Sequence, residues 1–395
     1  MKNEKLRIGF IPLADAAALI VAADKGFLAA EGLDVELVRE VSWSNVRDKL
    51  NIGLFDAAHL LAPVAIASSL GLGHVKVSIV APLNLGLNGN AITVAPELYR
   101  AIADTADGDM VDPRVTAASL KRVVQGRKAK GAPPLTFGMP FPFSTHNYQL
   151  RFWMASGGVD PDEDVRLVVL PPPFMVESLQ GGQVDAFCVG APWNSVAVDL
   201  KIGHILHFAS EIMKRAAERV LAVREQWARE HPVLVRKLVR KLVRAHARAA
   251  EFIERQENLD EVGGILAAPN RVGVSAEAIR RSLSGRLMVS PDGTFRSSDR
   301  YLLVGRFGAA RPDPVQAAWL YAQMARWGQA PLSRELLAVA KSVFRSDLYD
   351  EALGSPGALP ASEPADGVGA FAGPAFDPDD IEAHLNVWPI RRSLR

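Results

Sequence analysis

Leu6-Arg-Ile-Gly-Phe-Ile-Pro-Leu13, the mostly apolar run 14–30 behind it, and Leu33-Asp-Val-Glu-Leu-Val-Arg-Glu-Val41 form the stretch whose reading decides the fold. Residues 6–13 are apolar almost without break, as a buried strand requires. Asp15 stands where a side-chain oxygen can cap a helix running to about Ala30, and 33–41 returns with apolar side chains in alternation. Strand, helix, strand is a βαβ unit, which puts the chain in the α/β class.

Outward from this unit the alternation recurs. Ser42 or Ser44 can cap a short helix through about Gly53, and 56–61 is a short apolar strand with another helix behind it. Residues 75–82 and 91–94 are strand-like. The Gly and Asn content of 84–90 between them predicts tightly turning backbone, a place where the chain can cross between lobes. The polar region 96–134 is expected to hold a helix at about 117–125. Beyond it, 135–139, 165–170 and 185–189 read as strands. Ser144 and Thr145 can cap a helix through Ser156, and Pro171-Pro-Pro173 stiffens the turn into a short helix over 175–180. Strands over 204–209 and 220–223 follow, then a long helix over 232–255 with proline in its first turn. The pattern over 274–348 is mainly helical, and 354–378, rich in Gly, Pro and Ala, is expected to be an irregular loop.

Bulk composition narrows the function. With 45 Lys and Arg against 44 Asp and Glu the net charge is +1, so no global field attracts nucleic acid or an anionic membrane. Any anion site has to be local. No stretch approaches the ~18 consecutive apolar residues of a spanning helix, so membrane insertion is not expected. Residues 1–5 run into the first strand without an apolar leader and cleavage site, and the expected location is cytoplasmic. The single cysteine, Cys188, excludes an internal disulfide and a zinc site of several thiolates. P-loop, complete dinucleotide fingerprint, zinc-binding string and Gly-x-Ser-x-Gly elbow are all missing, so no cofactor, metal or enzymatic activity is expected. Arg236, Lys237, Arg240, Lys241, Arg244 and Arg248 share about half the circumference of the 232–255 helix. Without interleaved aromatics to stack bases they read as a solvated face, with docking of a partner protein as the sharper alternative and no direct nucleic-acid binding.

Several strings carry a family resemblance: Phe10-Ile-Pro-Leu13 with Asp15, Trp43 before Val46-Arg-Asp-Lys-Leu50, Leu150-Arg-Phe-Trp153, Pro171-Pro-Pro173, and Asp185-Ala-Phe-Cys-Val-Gly190 with Pro192-Trp-Asn194. In this order they resemble the nitrate- and bicarbonate-binding proteins of ABC importers and their cytoplasmic nitrate-sensing relatives, over roughly 6–345. The resemblance implies a two-lobed, periplasmic-binding-protein-like (type II) fold with ligand in the interlobe cleft. Lobe 1 would comprise 1–92 and 212–395 and lobe 2 would comprise 93–211, with hinge strands near Ala91 and Val189. It further implies a cytoplasmic nitrate or nitrite sensor controlling an RNA-binding antiterminator-type response regulator. The alternative is the substrate-binding component of a nitrate or bicarbonate ABC transporter.

Nitrate is planar, singly charged and offers only acceptors, so the pocket is expected to present donors and one positive charge, with no carboxylate pointing inward. In the family the anion is held by a tryptophan, a side-chain amide, a histidine and a lysine. The resemblance carries these to Trp43, to Asn90 in Asn88-Gly-Asn90, to His146 in Ser144-Thr-His-Asn147 at a helix start, and to Arg219, which keeps the charge and adds a planar fork. A one-residue slip would put Glu218 in the pocket instead, as in the bicarbonate-binding branch. Ala191 replaces a glutamate common in exported members. Trp193 and Cys188 are expected to be core residues.

Overall fold

In the computed structural model, which describes residues 5–230, 232–354 and 367–392, the opening stretch folds as β1 (Leu6–Phe10) and β2 (Val35–Arg39), paired in parallel. Asp15 does not cap the intervening helix. It lies in a tight turn, Ala14–Ala16, ahead of the helix Ala17–Asp24, and left-handed Gly26 separates a last helical turn, Phe27–Ala30. Ser42 does cap as expected, accepting from the Asn45 N–H at the head of the helix Trp43–Asn51. β3 (Ala57–Leu61) and β4 (Ile79–Asn88) follow, every residue of both buried.

Next come β5 (Asn90–Val94), β6 (Thr136–Met139), β7 (Arg166–Val169), β8 (Ala186–Gly190) and β9 (His204–Phe208). The chain returns through β10 (Met213–Lys214) and β11 (Ala217–Arg224), and the remaining strands are β12 (Arg286–Met288), β13 (Phe295–Ser297), β14 (Leu302–Leu303) and β15 (Gly369–Ala370). One sheet runs β14-β4-β11-β3-β1-β2 and the other β7-β6-β8-β5-β9. Helices pack on each, giving two α/β lobes.

The chain changes sheet at Asn88 and Gly89, whose φ angles of 58° and 83° are left-handed. The turn is thus confined to two residues. Residues 84–88, expected to be loop, continue β4, because β11 and β14 pair with it on either side and Asn84 Nδ2 is satisfied by the carbonyls of Ala309 and Arg311. Asn88 also ties the outward crossing to the return. Its Oδ1 accepts from the Ala216 N–H at 3.1 Å, its own N–H donates to Ala216 O at 3.0 Å, and its Nδ2 donates to Arg300 O at 2.9 Å. Asn88→Ala removes two side-chain bonds and leaves alanine at positive φ, so it is expected to cost ~2–3 kcal/mol of stability. Urea unfolding checks this, and a loss under ~0.5 kcal/mol would remove Asn88 as the tie.

Other differences from the sequence reading are local. The polar region holds two helices, Pro96–Asp104 and Pro113–Ala129, the second longer than expected because Asp112 caps it and proline begins it. The 274–348 segment contains the β12–β13 hairpin and β14 as well as helices. Of the loop expected over 354–378, residues 355–366 lie outside the described residues, and Gly369–Ala370 pairs antiparallel with β10. The C-terminal stretch binds the second lobe, with Arg392 paired to Asp160 and Asp162 and Trp388 edge-on to Phe152. On the long helix Pro232–Glu254, Arg236 and Arg240 pair with Glu351, Arg244 with Glu31, and Arg248 covers Phe27. These bases therefore anchor neighbouring elements.

Candidate functional site

Where the sheets meet, β11 breaks its own alternation. Successive strand residues normally point to opposite faces, but the pairing of β11 with β4 shifts register on both sides of Arg219. The irregularity brings Glu218 and Arg219 into one pocket, both fully buried and paired through Arg219 Nη1 and Glu218 Oε1. The sequence-level choice between the two residues thus has both as its answer.

The first lobe supports Arg219 from below. Arg219 Nε lies 3.1 Å from Asp15 Oδ2, and the guanidinium carbon stands 4.6 Å from the centre of the Trp43 ring. Asp15 Oδ1 is 2.9 Å from His59 Nε2, while the Ile11 N–H donates to His59 Nδ1 at 3.4 Å. With Nδ1 accepting, the His59 proton is on Nε2 and donates to Asp15. Burial alone would raise the Asp15 carboxyl, but the Arg219 charge and His59 outweigh it and hold it below the usual carboxylate range.

The second lobe closes the pocket from the other side. Ser144 caps the helix Thr145–Ser156 by accepting from the Asn147 N–H, which places His146 and, three residues on along the same face, Gln149 toward β11. Asn90 Nδ2 donates to Gln149 Oε1 at 3.1 Å and to Glu218 Oε2 at 2.5 Å, and His146 Nδ1 is 3.2 Å from Glu218 Oε1. Burial, aided by Arg219, lowers His146 well below the ordinary histidine value, so the ring is neutral. Backbone access is kept by Gly190, where a Cβ would lie 3.3 Å from Arg219 Nη2. Trp43 Nε1, Arg219 Nη2, Gln149 Nε2 and His146 Nε2 are buried without hydrogen-bond partners among the described residues. Polar atoms so placed are costly unless a ligand pairs with them.

The structure thus brings Trp43, Asn90, His146 and Arg219 together across the two sheets. It corrects the expectation of a pocket without inward carboxylates, since Asp15 and Glu218 both face in. Sequence reading also passed over Gln149 and His59, although the three-residue step from His146 to Gln149 on one helix face was an available signal. Cys188 of β8 is buried as expected, with its Sγ 3.7 Å from Gln149 Oε1, while Trp193 is half-buried against the core. Among the described residues, no cluster of three or more His, Cys, Asp or Glu side chains is arranged to hold a metal ion.

The model of the NMT1-like family matches residues 1–267. The chain belongs to the NMT1-like family. The nitrate/nitrite binding protein NrtA of Synechococcus elongatus is 32% identical, over 96% of this chain and 85% of its own length. The nitrate import ATP-binding protein NrtC of Synechocystis sp. is 33% identical over 100% of this chain, which spans 57% of that relative's length. Among solved structures, the periplasmic nitrate-binding protein NrtA from Synechocystis PCC 6803 superposes with a TM-score of 0.87 at 27% identity, covering 98% of this chain and 99% of that one. The fold of this family member is accordingly that of the periplasmic binding proteins, and its homologues in the binding-protein branch are substrate-binding proteins, not enzymes.

Proposed function

We propose that this chain is the anion-binding component of an ABC importer for nitrate or nitrite. The observation that carries the reading is the set of buried, unpartnered donors drawn from both lobes, Trp43 Nε1, Arg219 Nη2 and Gln149 Nε2, with His146 in the same pocket, in a chain similar to NrtA along nearly all its length. A planar monoanion with three acceptor oxygens is chemically suited to such donors. Because donors come from both sheets, ligand favours the closed arrangement by the difference between its affinities for closed and open forms.

The sequence reading put a cytoplasmic sensor with an antiterminator partner first. The relatives named above are nitrate-binding proteins, one of them periplasmic, and a nitrate import ATP-binding protein, so the transport component now takes first place. Location follows the same division: an importer subunit works with a membrane permease and ATPase, a sensor with a soluble regulator, and affinity purification from cells distinguishes the two by what comes with the chain.

Calorimetric titration with nitrate, nitrite and bicarbonate is the test. Nitrate or nitrite is expected to bind with a micromolar Kd, and His146→Ala to weaken that binding at least about tenfold, or ~1.4 kcal/mol. No heat from any of the three anions would sink the reading.

A further inference from the structure

The charges that share the pocket do not favour an anion as they stand. Facing Glu218 are Arg219 on its own strand, Asp15 from the turn after β1 with His59 of β3 behind it, His146 from the helix Thr145–Ser156, and Cys188 of β8, all buried. Burial lowers both histidines and raises the Cys188 thiol, so these three are uncharged. One guanidinium then stands against two carboxylates, and the pocket is net negative whenever Glu218 is ionised. Moreover, Glu218 already engages the groups an anion would use. Arg219 Nη1 and Asn90 Nδ2 donate to it and His146 Nδ1 lies beside it, so this carboxylate is an internal anion held by donors from both sheets.

We infer that Glu218 is a built-in competitor for the anion, and that ligand enters together with one proton, which bonds to a Glu218 carboxylate oxygen and turns the competitor into a neutral donor. The inference rests on the proposed anion-binding function. The surrounding groups can serve either form of the acid. Protonated on Oε1, Glu218 can donate its O–H to His146 Nδ1, 3.2 Å away, which puts the neutral ring's own proton on Nε2. Asn90 Nδ2 goes on donating to Glu218 Oε2 and to Gln149 Oε1, so the protonated network is hydrogen-bonded as fully as the ionised one. Burial pushes the Glu218 carboxyl up to about 7, against the lowering influence of Arg219 and Asn90, so both forms are accessible near neutrality. The sign follows from linkage: if the bound state holds one more proton, affinity is flat below the carboxyl's pKa and falls as pH rises above it.

The test is nitrate titration of EDTA-treated wild type and Glu218→Gln from pH 5.5 to 8.5. Wild-type affinity is expected to fall by up to about tenfold per pH unit above neutrality. Glu218→Gln is expected to bind with little pH dependence and about tenfold or more tightly than wild type at pH 8.5. Wild-type calorimetry in two buffers of different ionisation enthalpy is expected to show close to one proton taken up per nitrate at pH 8 and little at pH 5.5, a readout that needs no variant. Wild-type affinity constant across the range, without proton uptake, would overturn the inference while leaving the anion site standing. Nitrate failing to bind either protein at any pH would overturn the proposed function and this inference with it.

Discussion

Arg219→Ala is expected to weaken nitrate binding at least about tenfold and to lower the unfolding free energy at pH 7 by ~3–5 kcal/mol, the cost of removing one partner of a buried charge pair. The large effect comes from what stays behind. Asp15 loses its closest cation while remaining buried, Trp43 loses the guanidinium over its ring, and Glu218 loses the donor that opposes its desolvation. The pH dependence distinguishes this from a plain cavity. In the wild type the Asp15 carboxyl is held below its usual value, so its contribution to stability is present above the unfolded carboxyl pKa and is lost as pH falls through the folded one. Without Arg219, burial governs Asp15 and its pKa rises, so the variant's deficit is greatest near neutrality and shrinks toward pH 4. Urea unfolding of both proteins at pH 7 and pH 4 measures it, and a deficit that is equal at the two values would refute the charge-pair account. Arg219→Lys keeps the charge without the fork and is expected to recover part of the stability and less of the binding.

Asp15→Ala is expected to cost less, ~1.5–3 kcal/mol, because Arg219 keeps Glu218 as a partner. The double variant should then be less damaged than the sum of the single ones, by ~1–3 kcal/mol, since the second change removes a charge that the first has already orphaned. A four-protein unfolding cycle checks it. Additivity within ~0.5 kcal/mol would mean that Asp15 and Arg219 act separately despite the 3.1 Å between them. Asp15→Ala should also favour ionised Glu218, because Asp15 is one of the charges that raises it.

What the sequence by itself determined was the part governed by near neighbours along the chain. Apolar runs and alternation mark β1, β2, β3 and β6 to β8, the Ser42 and Ser144 hydroxyls mark two helix starts, and Pro232 marks the long helix, because caps, periodicity and proline act within a few residues. Family resemblance added Trp43, Asn90, His146 and Arg219, since their spacing survives in linear order. Tertiary structure alone decided what those residues do together. Asn84 to Asn88 look like a loop until β11 and β14 are laid on either side and distant carbonyls satisfy Asn84. Asp15 looks like a cap until His59 and Arg219 arrive from strands tens and hundreds of residues away. Glu218 and Arg219 look like opposite faces of one strand until a register shift, set by pairing with a neighbour far along the chain, points both into the cleft. Local rules fix which groups a segment carries, whereas non-local pairing sets which charges meet in a low-dielectric interior, where their interactions are strongest.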